Sequence, residues 1–454
     1  MSHLLVVGGS DAGIMAALRA REVDSSTEVT MMLADQYPNF SICGLPFFLS
    51  GEVEDWHSLA HRKAEEISAR GIALLSGHRA TRIDPSARIV VARTEAGLER
   101  VLRYDALVVA TGAHAAISGI EGADLPGVHA LHTMADGLAV RQRLDAGTVE
   151  EAVIIGSGYI GVEMADALSR RRIKVLLVGR SPTVLPTVDP SLGTAIQDEL
   201  ERHGVEVRCG VTVRAISAAG GRLEVRTDDG SSKRADLVIV AGGVEPNAVL
   251  AADAGLALGV RGAIVVDRQM RTNVRDVFAA GDCVETWHRL LQRPTYLPLG
   301  TTAHKQGRVA GEVAAGGDRT FQGSVGTQVV KIFDLAAART GLREAEARDA
   351  GFDPLTVESA PWHHKAYYPG AHRLTTRVTA DRRTHRLLGA QMVGHWQAEV
   401  AKRIDVLATA LFHGTTVDAL NDLDLSYTPP MGAPWDAIQE AAQAWLTTAR
   451  SLGG

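Results

Sequence analysis

Cysteine is scarce. The chain of 454 residues holds three, Cys43, Cys209 and Cys283, and no two form a C-x-x-C pair. That spacing excludes a disulfide-stapled scaffold and fits reduced thiols in a cytoplasmic protein. Long apolar runs are missing as well, since none approaches the roughly 20 residues that span a bilayer. The opening MSHLLVVGG enters a strand-like run at once and lacks the basic head and cleavage site of a secretory leader. Nor is there an excess of positive charge: the net charge of −6 gives no electrostatic case for nucleic acid or an anionic membrane as partner. What is present, 46% hydrophobic and 22% charged residues, is ordinary globular composition. A chain this long exceeds a typical single core, so two or three domains are expected.

The stretch LLVVGGSDAGIMAALRARE reads as a short buried strand, a tight turn and a helix with small residues on its packing face. Gly8 and Gly13 take the outer positions of G-x-G-x-x-G and Ser10 the middle one, so the match is incomplete. Glycine serves there because it lets backbone approach a pyrophosphate that rests on the helix start. Alone, the stretch reads equally well as an ordinary strand–helix turn. The pattern recurs complete in EAVIIGSGYIGVEMADALSRRRIKVLLVGR, where Gly156, Gly158 and Gly161 follow the run Ala152–Ile155 and open an amphipathic helix. A second strand, Lys174–Val178, follows at the distance a βαβ unit requires. Where an acid would bind the ribose 2′-hydroxyl of NAD, this chain has Gly179 and Arg180. An arginine beside a missing acid suits a 2′-phosphate, so NADPH is preferred over NADH; the plainer reading makes Arg180 a solvated surface residue. Further pieces repeat the theme. YDALVVATGA ends a strand in Thr111-Gly112, LVIVAGGVEPN (with Gly243) looks like its counterpart, and RTNVRDVFAAGDCVET runs a buried strand into Gly281-Asp282. A carboxylate at that last place accepts a hydrogen bond from a polyol hydroxyl. Two dinucleotides with different jobs imply one tightly held flavin and one diffusing hydride donor.

Together these residues resemble the two-dinucleotide-domain flavoproteins that include glutathione reductase. The closer resemblance is to their single-cysteine branch: coenzyme A disulfide reductases, NADH oxidases, NADH peroxidases and persulfide reductases. The motifs CGLPFFLSGE, GYIGVE, PLGTTAHKQGRVAGE, VVKIFDLAAARTGL, YYPGA, KRIDVLATA and LDLSYTPP carry it, in the family's order, over nearly the whole chain. The resemblance implies an α/β fold of three domains: FAD-binding at 1–113 and 240–323, NAD(P)H-binding at 114–239, and a C-terminal α/β dimerisation domain at 324–454. It puts FAD on the Gly8 turn, with Asp282 on the ribityl chain, and NAD(P)H on the Gly156 turn. Tyr159 would shield the flavin until the nicotinamide arrives, and Glu163 would help seat it. Leu33 stands where many relatives have an acid for the FAD ribose, and Asp35 is the candidate substitute. In the implied homodimer, Tyr427 and one of Tyr367 or Tyr368 reach toward Cys43 of the other chain; from the residues alone they read equally as core aromatics.

A single thiol beside a flavin has a distinct chemistry. Glutathione reductase pairs two cysteines at C-x-x-x-x-C spacing, but position 48 here is Phe48. Cys43 then cycles only if the second sulfur comes from outside, as a mixed disulfide or persulfide, or if it forms a sulfenic acid. Gly44-Leu45-Pro46 looks like a first helical turn, with proline tolerated there, and a helix start is expected to lower the thiol's pKa. The bland alternative is a buried, inert cysteine; Cys209 and Cys283 are assigned that structural role.

Several positions bear on the substrate. Oxidases and peroxidases of this branch carry a histidine inside the first glycine turn, whereas this chain has Asp11, which argues against oxygen or peroxide. Coenzyme A disulfide reductases usually show S-x-x-N-C before the thiol, and Ile42 replaces that amide. Arg19 and Arg21 lie where relatives meet coenzyme A phosphates, with a solvated helix face as the competing reading. His363, His364 and His395, with Trp362 and Trp396, suggest a substrate-shaping wall more than a metal site. The expected activity is reduction by NADPH or NADH, through FAD and Cys43, of a small disulfide or persulfide. The alternatives are an oxidase or peroxidase, a reductase of an electron-carrier protein or metalloid, and a non-enzymatic redox sensor.

Overall fold

The computed structural model describes residues 2–117 and 119–453. Two of its sheets are built alike. In the first, five parallel strands lie in the order Val277–Ala279, Ala106–Val109, His3–Val7, Glu28–Met32, Ile72–Leu75. In the second the order is Val128–Ala130, Leu237–Val240, Glu151–Ile155, Lys174–Gly179, Glu206–Cys209. The central strands, HLLVV and EAVII, are buried on both faces after their first residue, as parallel strands covered by helices must be. Each sheet is accompanied by a three-stranded antiparallel one, spanning His78–Arg103 in the first case and Val213–Ala235 in the second. The second parallel sheet lies in sequence between strands of the first.

The C-terminal region is a five-stranded antiparallel sheet in the order Gln328–Ile332, Leu335–Gly341, Leu387–His395, Leu374–Asp381, Pro354–Ser359, backed by the helices Val400–His413 and Ala437–Gly453. Polar ties fix it to the second parallel domain. The Arg339 guanidinium donates to the Thr187 carbonyl at 2.6 Å, and Arg377 pairs with Asp189 at 2.9 Å.

Two packing features position the site. The helix Asp11–Val23 and the helix Gly300–Ala314 touch backbone to backbone, because a Cβ on Gly307 would lie 2.2 Å from the Ala12 carbonyl oxygen and one on Gly311 would lie 2.1 Å from that of Ala16. The start of the later helix is thereby pinned beside the first glycine turn. The short helix Leu45–Ser50 enters one apolar cluster with Val162 of the second domain and Ile332 and Phe333 of the third. Arg141, from the second domain, donates to the Phe48 carbonyl at 3.0 Å and stacks over the Phe48 ring. Cys43 thus sits at a three-domain junction.

Candidate active site

Both glycine turns open onto one cavity of about 2600 Å³. In each, a strand ends, the chain reverses through a glycine of positive φ, and a helix begins. Gly8 (φ 121°) and Gly156 (φ 113°) press on the neighbouring strand: a Cβ would lie 2.0 Å from the Ala110 oxygen or 2.2 Å from the Ala241 oxygen. Gly13 and Gly161 lie one turn into the helices, where a Cβ would strike the Gly8 or Gly156 carbonyl oxygen. Ser10 and Gly158 line the cavity itself, and nothing lies within 4 Å of where a Cβ on Gly158 would be.

Around the first turn, Asp35, Thr111, Gly112 and Asp282 line the cavity. Leu33 packs against Gly9 at the cavity wall and its side chain has no atom that could hydrogen-bond a ribose, whereas the Asp35 carboxylate accepts the Tyr37 N–H at 2.9 Å and lies at the same wall. The Thr111 hydroxyl donates to the Asn247 carbonyl at 2.7 Å, locking the two crossovers between the domains together. Asp282 is held with its carboxyl pushed up to about 6, first by burial and then by the charge of Asp11. Around the second turn, Tyr159, Glu163, Arg180 and Gly243 line the cavity. Burial, then Asp166, raises the Glu163 carboxyl to about 7. Burial likewise raises the Tyr159 phenol, which accepts a hydrogen bond from the Thr187 hydroxyl at 3.3 Å. Arg180 is exposed at the end of the strand Lys174–Gly179, with no ion pair among the described residues.

These features fit two dinucleotides. The glycine cradles leave room for phosphates at both helix starts. The Asp282 carboxyl, raised and facing the cavity, suits a hydroxyl-rich chain.

Cys43 lies in a 3₁₀ turn, Ile42–Gly44, that runs directly into Leu45–Ser50. Its residue is exposed to the cavity, although protein surrounds the sulfur on most sides. The expectation that a helix start lowers its pKa is corrected by the structure. Burial raises the thiol, the carboxylates of Glu163, Asp11 and Asp282 raise it further, and only its own backbone N–H acts the other way. The helix has six residues and a weak dipole to offer against three carboxylates. Cys283 is fully buried, with its sulfur against the Ala280 carbonyl at 3.4 Å, and Cys209 is half-buried.

Other candidate residues lie away from this cavity. Tyr367, Tyr368 and Tyr427 do not line the cavity of their own chain; they are 74%, 43% and 45% exposed, on two loops tied by the Lys365 N–H donating to the Pro429 carbonyl at 3.3 Å. Nor do His363, His364 and His395 line it. They pack beneath those loops with a fourth histidine, His372, whose ring stacks on His395 at 4.2 Å while His364 meets Tyr368 edge-on at 5.6 Å. The segment folds back on itself through the His363 N–H to His372 carbonyl bond, with His363 and His364 buried and His372 and His395 half-buried. Arg19 and Arg21 are occupied too: Arg19 pairs with Glu312 and Glu22 at 2.7 and 2.9 Å, and Arg21 donates to the Thr27 carbonyl at 2.7 Å.

One residue was overlooked in sequence. His304, inside TTAHKQGR, places Nε2 3.2 Å from Asp11 Oδ1. The sequence argument weighed only the residue within the turn, while another helix brings an imidazole to the same spot.

Known proteins resemble this chain over its length. Residues 2–307 match the pyridine nucleotide-disulphide oxidoreductase family and residues 327–438 its dimerisation domain. An NAD(P)H sulfur oxidoreductase (CoA-dependent) of Pyrococcus furiosus is 35% identical over 438 residues, 96% of this chain and 97% of that protein. The structure of an NAD-dependent persulfide reductase from A. fulgidus superposes with a TM-score of 0.95 at 35% identity, covering 99% of this chain and 84% of the other. An engineered water-forming NADPH oxidase, made from a Lactobacillus brevis NADH oxidase, superposes at 0.95 and 26% identity over 100% of both chains. Its engineered changes include aspartate to alanine followed by arginine and serine at the next two positions.

Proposed function

The chain belongs to the pyridine nucleotide-disulphide oxidoreductase family and is an oxidoreductase that uses FAD and a nicotinamide nucleotide; from that premise we propose that it reduces a small disulfide or persulfide, of coenzyme A type, through Cys43. The observation that carries the reading is the one thiol on the wall of a cavity shared by both nucleotide turns, with Phe48 where a second cysteine would stand. The likeness to sulfur and persulfide reductases, one of them CoA-dependent, supports the substrate class.

FAD would lie along Gly8, Ser10, Asp35 and Asp282, and the nicotinamide nucleotide along Gly156, Gly158, Tyr159 and Glu163. When bound, they supply the hydride and the electron pair for sulfur–sulfur cleavage. Cys43 thiolate attacks the substrate disulfide, displaces one thiolate and forms a mixed disulfide. On gaining two electrons that bond breaks, leaving Cys43 thiolate and an external sulfur that takes a proton. Tyr427 with Tyr367 or Tyr368 supplies or orients that proton across a homodimer. Their exposure on tied loops, away from their own chain's cavity, supports such a shared site.

NADPH is the preferred donor in this reading. A side chain at Gly179 would meet Ser157 Oγ at 2.3 Å, so an acid has no room there, and Arg180 extends beside it toward the cavity. Gly179-Arg180-Ser181 also parallels the alanine–arginine–serine run of the engineered NADPH oxidase.

Anaerobic NADPH oxidation with coenzyme A disulfide, then polysulfide, tests the proposal. Rapid turnover that Cys43→Ser lowers by at least about 100-fold is expected. Full activity in the serine variant, or none with either acceptor, would rule it out. His304 beside Asp11 favours one second reading, reduction of oxygen; steady oxygen consumption by the wild type would support it.

A further inference from the structure

Three acidic side chains from three different elements share the cavity wall with Cys43, and the Asn39 N–H, donating to the Gly9 carbonyl at 2.9 Å, ties the segment before the thiol to the turn that carries Asp11. Asp11 opens the helix Asp11–Val23, Glu163 belongs to Tyr159–Arg170, and Asp282 follows the strand Val277–Ala279. These carboxyls oppose a thiolate forming there, yet the chemistry above needs one. The hydrogen-bonding side chain that reaches Asp11 comes from the Gly300–Ala314 helix. Its glycine contacts with Ala12 and Ala16 set the distance between the two helices, so that Asp11 Oδ2 lies against Gly300, where a Cβ would be 2.9 Å away. Asp11 Oδ1 takes His304 Nε2 at 3.2 Å. The basic side chains of that helix point elsewhere: Lys305 Nζ donates to the Thr301 carbonyl at 3.3 Å, and Arg308 meets Glu22 at 3.4 Å.

We propose that His304 is a positioning residue for the reaction: hydrogen-bonded to Asp11, it holds that carboxylate's charge away from Cys43 and so keeps the sulfur available as thiolate. His304 acts through Asp11. This deepens the preceding section's reading and rests on Cys43 being the working thiol.

The two members of the pair oppose each other, and that opposition gives the test its sign. The pH dependence of Cys43 alkylation by iodoacetamide, followed by mass spectrometry on the reduced holoenzyme, reads thiolate formation without any turnover. The midpoint should rise by about one pH unit in His304→Gln and fall by about one in Asp11→Asn, the usual scale for a neighbouring charge. In the double variant His304→Gln should add nothing to Asp11→Asn, since its route of action is gone. His304→Lys, which keeps a hydrogen-bond donor on the same helix, should hold the midpoint near that of the wild type. The inference fails if His304→Gln leaves the midpoint unmoved, or if it shifts the midpoint equally with and without Asp11. Either failure stands apart from that of the proposed function, which is decided by turnover in Cys43→Ser.

Discussion

The two glycine turns carry the same fold with different middles. Their first glycines adopt nearly the same positive φ, 121° at Gly8 and 113° at Gly156, and both would drive a Cβ into a strand carbonyl. Their last glycines, Gly13 and Gly161, would place a Cβ 1.9 and 1.8 Å from the first glycine's own carbonyl oxygen. The middle residues differ. Ser10 (φ −91°) and Gly158 (φ −80°) share an extended backbone that any residue adopts. The chain's own packing therefore dictates the outer glycines, and only the approach of a ligand bears on the middle one. The irregularity at Ser10 lies where the fold makes no demand.

That contrast can be broken first at the outer positions. Gly8→Ala and Gly156→Ala combine an unfavourable φ with a clash against backbone, and each should cost at least about 3 kcal/mol or abolish folding, read by thermal unfolding. Next, at the end of the second unit, Arg180→Ala should lower kcat/KM for NADPH by roughly 10- to 100-fold and leave that for NADH within a few-fold. Gly158→Ser, copying the first turn's middle, should raise KM for the nicotinamide nucleotide about tenfold while stability stays within about 1 kcal/mol; Ser10→Gly should change stability by no more than that. The last effect sharpens the comparison through the carboxyls, because each turn faces one held partly protonated: Asp282 near 6 and Glu163 near 7. Below about pH 4.5 Glu163 holds its proton folded or unfolded; between 4.5 and 7 the unfolded chain releases it first, so stability falls as pH rises. Glu163→Gln removes that loss, and its stability relative to wild type should be roughly 1–2 kcal/mol better at pH 8 than at pH 5, measured by denaturant unfolding.

Local patterns were legible in the sequence because their causes are local. The strand–turn–helix around Gly156, the Thr111-Gly112 end and the Gly281-Asp282 turn each rest on backbone demands within a dozen residues, and Gly156, Gly158, Thr111, Gly112 and Asp282 all reach the cavity. What escaped reading depends on helices meeting across hundreds of residues. His304 reaches Asp11 only because Gly307 and Gly311 admit a backbone contact, a reason invisible at either position alone. The thiol's surroundings were misjudged in the same way. Pro46 and the helix start are adjacent to Cys43, while Glu163 and Asp282, which raise the thiol's pKa, arrive from distant segments. The histidines read from WHHKAYYPG and GHW lacked their fourth member, His372, because a reversal of the chain rather than spacing brings it to His395.

The central claim is that the substrate supplies the second sulfur to Cys43. Intact and peptide mass spectrometry of the reduced protein after one equivalent of coenzyme A disulfide tests it most directly. One coenzyme A adduct per chain, on Cys43 and removed by NADPH, is the predicted result. An unmodified Cys43, or an adduct that NADPH leaves in place, would contradict it.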